Sequence, residues 1–309
     1  MKMLVTGGAG FIGSHLVDAL LERGHSVAII DNLITGQKEN VNPDAAFYEI
    51  DIRNKEVQAI FEKEKFDVIF HQAAQLDVRK SVSDPGYDAD VNIIGTLNLL
   101  QASVGTGVKQ FLFASSGGAI YGEQVEFPAT EEHPCWPSSP YGVTKLSCER
   151  YIYYYGLNFG LKYQLMRYAN VYGPRQNAHG EAGVVAIFSD KLLDGEQPII
   201  NGDGKQTRDF VHVHDVVRAN LLAMDHPTND YYNVGTGIET DVNVIFRVLN
   251  KASGADKPEE HGEAMAGEQL RSVLSYEKAK RELGWEPKVN LEKGLAETVN
   301  FFKKQRALA

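Results

Sequence analysis

Glycines at positions 7, 10 and 13 constrain this chain more than any other feature. The segment Gly7-Gly8-Ala9-Gly10-Phe11-Ile12-Gly13 follows an apolar run, Met3–Thr6, and leads straight into helical spacing over Ile12–Arg23. A strand, a glycine turn and a helix in direct succession are what a bound pyrophosphate requires. Glycine permits the tight turn and lets backbone N–H groups approach the phosphates, which the helix N-terminus then stabilises. A second apolar run, Ser26–Ile30, ends in Asp31. A carboxylate there accepts hydrogen bonds from the adenosine ribose hydroxyls and repels a 2′-phosphate, so the pattern predicts NAD rather than NADP. Asp51-Ile52, after the next apolar stretch, is placed either to reach the adenine or, for Asp51, to cap a helix over Lys55–Glu64. Ala73 and Ala74 are small enough for close approach to the cofactor.

Val68–Phe70, Phe111–Ala114 and Tyr163–Tyr168 continue the strand series, with helical spacing at Asn92–Gly105 and Tyr141–Asn158 between them. Apolar strands without alternation are buried on both faces. The prediction is an α/β, Rossmann-type doubly wound parallel sheet. After about residue 170, Gly, Pro and Asn become frequent, and a smaller C-terminal α/β substrate-binding domain is expected. The division expected is 1–170 plus about 209–235 for the NAD-binding domain, and 171–208 plus 236–309 for the other.

A net charge of −10 over 309 residues argues against nucleic acid or an anionic membrane as the main partner. The longest uncharged stretch, Tyr151–Leu161, is too short to span a bilayer. The two cysteines, Cys135 and Cys148, make no disulfide framework. With no basic leader ahead of Met3-Leu4-Val5, a cytoplasmic protein is expected. No metal site is expected.

Tyr141 and Lys145 stand four apart on one face of a predicted helix. A phenol is a poor base near neutral pH, and an adjacent ammonium and a cationic nicotinamide ring favour its phenolate. The spacing alone is weak evidence, because Tyr276 and Lys280 repeat it. Only the first pair follows a sheet strand, Phe111–Ala114, whose Ser115-Ser116 end is where a nicotinamide would lie.

Together these elements resemble the extended short-chain dehydrogenase/reductases and, within them, the UDP-glucose 4-epimerases. The resemblance spans the chain through the glycine loop, His71-Gln72-Ala73-Ala74, Pro140-Tyr141-Gly142-Val143-Thr144-Lys145, Arg167 to Arg175, and Gly202-Asp203-Gly204 through Arg208-Asp209-Phe210-Val211. It implies redox-neutral epimerisation of a UDP-hexose, with NAD retained through turnover. The cofactor set expected is Gly7, Gly10, Phe11, Ile12, Gly13, Asp31, Asn32, Asp51, Ile52, Ala73, Ala74, Asn92, Ser115, Tyr141, Lys145 and Tyr168. The resemblance places Asn170, Val184, Asn201, Arg208 and Arg271 on the nucleotide-sugar, with the two arginines facing its diphosphate. It also implies a homodimer through the Tyr141–Asn158 helix, which carries Tyr151-Ile152-Tyr153-Tyr154-Tyr155.

One position departs from the pattern. The family places Ser or Thr four residues before Tyr121, where this chain has Gly117, followed by Gly118. No carboxylic acid stands there to protonate a leaving hydroxyl, which counts against a 4,6-dehydratase. Ser116 is the expected replacement for the missing hydroxyl, with Ser115 or a water as substitutes. Ser272, small where similar enzymes carry a bulky residue, predicts room for N-acetylated sugars. The competing readings are a UDP-glucuronate 4-epimerase or 4-ketoreductase, and a non-catalytic NAD sensor.

Overall fold

A computed structural model describes residues 1–178, 183–265 and 269–308. Seven parallel strands form the central sheet, in the order Ala46–Glu49, Ser26–Asp31, Lys2–Thr6, Val68–His71, Gln110–Ser116, Lys162–Tyr168 and Asp230–Val234. Every pairing is parallel, with Lys2 opposite Ser26 and Met3 opposite Val68. The chain builds outward from Lys2–Thr6 on one side, then crosses back to begin the other at Val68–His71. Such a switch point leaves a crevice outside the carboxyl ends of the strands.

Period-two alternation divides each apolar strand between two cores. Met3, Val5, Val27 and Ile29 pack beneath Leu16 and Leu20 of the Phe11–Glu22 helix and Val216 and Leu221 of the Val213–Asp225 helix. Leu4, Ala28 and Ile30 face Phe61, Leu99, Leu100 and Ile152, from helices Val57–Glu64, Gly95–Thr106 and Pro140–Phe159. The doubly wound architecture is therefore as expected. The helix forecast at Asn92 begins instead with a π-helical turn, Asp90–Ile94.

A third core unites helices Val184–Leu193, Val242–Ser253 and Leu291–Leu308 through Phe188, Phe246, Leu249, Leu295 and Val299. Short strands surround it. Asn170–Tyr172 pairs with Phe210–His212, Ile200–Asn201 with His261–Gly262, and Thr207–Arg208 lies between Thr240–Asp241 and Arg271–Ser272. Leu274, Ala279, Leu283 and Trp285 return to the first core under the large sheet. Among the described residues, no helix is long and apolar enough to cross a membrane.

Candidate active site

A cleft of about 320 Å³ occupies the crevice at the switch point. Its floor begins at the glycine loop. Gly7 has φ of +70°, and a Cβ there would lie 2.7 Å from the Ala73 nitrogen. A Cβ on Gly13 would lie 2.1 Å from the Gly7 carbonyl oxygen, so the helix could not sit this close to the turn with any larger residue. Gly10 caps the Phe11–Glu22 helix without a side-chain hydrogen bond, and no acidic residue stands in its first turn. Its N-terminal N–H groups thus meet the cleft without a side chain competing for them, which fits a pyrophosphate.

Asp31 lies at the end of its strand, its carboxylate accepting from the Ala9 and Leu33 N–H groups at 3.0 and 2.9 Å. Burial pushes its carboxyl above the usual range, and those two donors oppose the shift. Asp51 does not cap the next helix, which starts at Val57. It lines the cleft, receives Arg53 and Asn32, and is held near pKa 2 chiefly by the Arg53 guanidinium. These residues, with Phe11, Ile12, Ile52, Ala73, Ala74 and Tyr168, all border one cleft. The Tyr168 hydroxyl is fixed by exchange with Asn220 at 2.8 and 3.0 Å.

Asn92 is placed differently. It is buried off the cleft, its amide donating to Gln75 O, Asp88 Oδ1 and Thr144 Oγ1 while its carbonyl accepts from Gln75 N. With both amide hydrogens used inside the protein, it ties the loop after Val68–His71 to the helix bearing Tyr141 and Lys145.

At the far end of the cleft, that helix starts from a Ser139 cap with Pro140 in its first turn. Lys145 is 3% exposed and donates to the Ala114 carbonyl at 2.8 Å. Its Nζ is 5.8 Å from the Tyr141 ring centroid and 4.8 Å from that of Phe113. Burial lowers Lys145 to about 8. Burial also raises Tyr141 to about 12, an effect that the neighbouring Ser116 side chain partly opposes. Ser116, Tyr141 and Lys145 thus border one cleft.

Ser115 does not stand in for Ser116. Its hydroxyl turns away, donating to Glu149 Oε1 at 2.6 Å. Glu149 in turn forms a two-pronged ion pair with Arg167, both side chains being at most 4% exposed. Arg167 also donates to the Tyr121 hydroxyl. This buried network ties the Pro140–Phe159 helix to the Gln110–Ser116 and Lys162–Tyr168 strands, and breaking it by removing one partner costs about 3–5 kcal/mol. Gly117 is buried too: a Cβ there would lie 2.5 Å from Leu274 Cδ1, so a side chain at this position would need Leu274 to move.

The expected sugar-nucleotide residues are less concentrated. Asn170 borders the cleft, and Val184 opens a helix directly after Gly183, which also borders it. Arg208 and Arg271 occupy adjacent strands of the three-stranded sheet, with Thr207 opposite Arg271. Arg271 pairs with Glu239 and stacks 3.7 Å over the Phe127 ring. Asn201 lies in the short strand beside His261–Gly262, and Ser272 is buried opposite Arg208. Gly267 and Glu268, part of the segment used to align Arg271, lie outside the described residues. Sequence reasoning missed Gln72 and Gln176, which border the cleft and each keep a buried side-chain oxygen without a partner.

The NAD dependent epimerase/dehydratase family matches residues 3–235. The chain belongs to that family. It is 44% identical over 310 residues to the UDP-glucose 4-epimerase of Mycolicibacterium smegmatis, covering 98% of this chain and 99% of that one. A crystal structure of UDP-glucose 4-epimerase from Thermotoga maritima with UDP-glucose is 51% identical, with a TM-score of 0.97 over 99% of this chain and 100% of its own. The UDP-glucose 4-epimerase of Thermus thermophilus, in complex with NAD, is 45% identical, with a TM-score of 0.93 over 98% and 99%.

Proposed function

We propose that this chain is a UDP-glucose 4-epimerase that interconverts UDP-glucose and UDP-galactose using resident NAD. The observation that carries the reading is that Tyr141, Ser116 and buried Lys145 border the same cleft as the glycine loop and Asp31. Relatives named for this activity along their whole length support it.

Gly7, Gly10 and Gly13 would hold the pyrophosphate and Asp31 the adenosine ribose, while Lys145 reaches the nicotinamide ribose. When bound, NAD⁺ supplies a hydride acceptor for C4 and a positive ring that favours the Tyr141 phenolate. Tyr141 takes the proton of the sugar 4-OH, and Ser116 holds O4. The 4-keto sugar turns within the cleft, and Tyr141 returns the proton as C4 is reduced on its other face. Asn170, Val184, Asn201, Arg208 and Arg271 are the proposed contacts to the nucleotide and diphosphate. Ser272 is buried opposite Arg208, and its small side chain is the feature that would leave room for an acetamido group.

Purified protein incubated with UDP-galactose and no added cofactor should yield UDP-glucose, and denaturation should release NAD(H). Stoichiometric consumption of added NAD(P)H would instead indicate a reductase, and absence of any turnover a sensor. Assay on the N-acetylated pair decides its sugar breadth.

A homodimer is part of the same proposal. Tyr151, Tyr153, Tyr154, Leu157 and Phe159 project from the Pro140–Phe159 helix at 42–70% exposure, an apolar stripe larger than scattered surface residues make. Glutamate at Tyr153 and Leu157 should convert a dimer to a monomer in light scattering. The unpaired cysteines suit the cytoplasm.

A further inference from the structure

We infer that His212, His214 and Glu297 form a binding site for a divalent transition-metal ion of the zinc class. The three side chains offer two imidazole nitrogens and a carboxylate whose ligand atoms all lie within 4.8 Å of one another. His212 Nε2 is 4.0 Å from Glu297 Oε2, and His214 Nδ1 is 3.8 Å from Glu297 Oε1. Ligands at the usual ~2.0–2.1 Å from zinc stand about 3.4 Å apart, so closure needs movements below about 1 Å.

The decisive feature is His212. Its side chain is fully enclosed, and Nε2 has no hydrogen-bond partner although it points into this group. A buried polar atom left unsatisfied costs about 1–3 kcal/mol, and an ion at this point would satisfy it. Ligation through Nε2 places the ring proton on Nδ1, which otherwise accepts a long 3.3 Å bond from the His214 N–H. Coordination thus replaces a weak helix cap. His214 and Glu297 are partly exposed, giving the ion an entry path and a water for its fourth position.

Two imidazoles and one carboxylate select zinc and its neighbours over magnesium or calcium, which prefer oxygen donors. None of the three residues borders the catalytic cleft. His212 and His214 stand where the Phe210–His212 strand enters the Val213–Asp225 helix, whereas Glu297 belongs to the Leu291–Leu308 helix. Gly294, one turn earlier, lets that helix approach: a Cβ there would lie 2.3 Å from the Tyr172 hydroxyl and 3.0 Å from His212 Cδ2. The ion would therefore pin the third core to the nucleotide-binding core.

The test uses the full-length, cofactor-loaded protein, stripped with a chelator and titrated with Zn²⁺ alone by calorimetry and thermal unfolding. One binding event and a Tm rise of about 5 °C at hundredfold excess over Kd are expected. H214A and E297A should each abolish the shift while keeping the wild-type NAD content. No rise in Tm, a rise retained in both variants, or an equal response to Mg²⁺ would overturn the site.

Discussion

This chain carries two Tyr-x-x-x-Lys pairs, and the fold treats them oppositely. Tyr141 and Lys145 lie inside a helix against the carboxyl end of the sheet, where Lys145 is almost wholly enclosed and bonded to the Ala114 carbonyl. Tyr276 precedes the Glu277–Leu283 helix, its ring packed edge-on against Trp285 at 6.0 Å. Lys280 is exposed and pairs with Glu286 at 3.3 Å. The same spacing gives the pair we propose for proton transfer in one place and a core contact with a solvated ion pair in the other. Chemistry follows from what surrounds the pair: a serine, Ser116, on the same cleft wall, burial that opposes both charges, and the glycine-loop cleft beside them.

The largest effect expected from breaking this contrast is at Tyr141. Y141F should lower kcat by about 10²–10⁴-fold while NAD content stays unchanged, the range for losing a positioned acid–base. Ser116 comes next: S116A should cost about 10- to 1,000-fold in kcat, as for removal of one positioned donor. Unchanged turnover in S116A would return the O4 contact to a water, because the Ser115 hydroxyl is committed to Glu149.

Lys145 sharpens the comparison through stability. Its folded pKa, about 8, is below the ordinary value of 10.5. Between those values the unfolded chain binds more protons, so this group's contribution rises with pH from about 8 to about 10.5. In the cofactor-free protein, wild type should gain stability relative to K145M over that window, by on the order of 1 kcal/mol per pH unit. A flat difference would mean that Lys145 is not held in a desolvated site. The smallest effect belongs to the other pair: K280A and Y276F should leave kcat at the wild-type value, and a loss of tenfold or more in either would dissolve the distinction.

The features legible in the sequence are those whose physics is local. A strand, a glycine turn and a helix are contiguous, and their apolar runs and spacing place the cofactor half of the cleft to within a residue or two. Asp31 could be read because it ends a strand. That Ser116 borders the cleft could be read from its place beside Gly117, although the enclosure of Gly117 by Leu274 could not, since Leu274 arrives from a distant segment. Gln176 and Gly183 enter the cleft from irregular chain after residue 172, where no periodicity signals direction. The role of Asn92 was hidden for a related reason: its partners, Gln75, Asp88 and Thr144, meet it only in the folded protein. The metal-ligating group likewise joins a His-x-His pair to a carboxylate from the last helix.

The central claim is that hydride leaves C4 and returns to the same carbon without meeting solvent. Epimerisation of UDP-galactose deuterated at C4, in ordinary water, tests it most directly. The account predicts UDP-glucose that retains its deuterium at C4. Washout of the label into solvent would contradict it, since that outcome requires C4 to exchange as a proton.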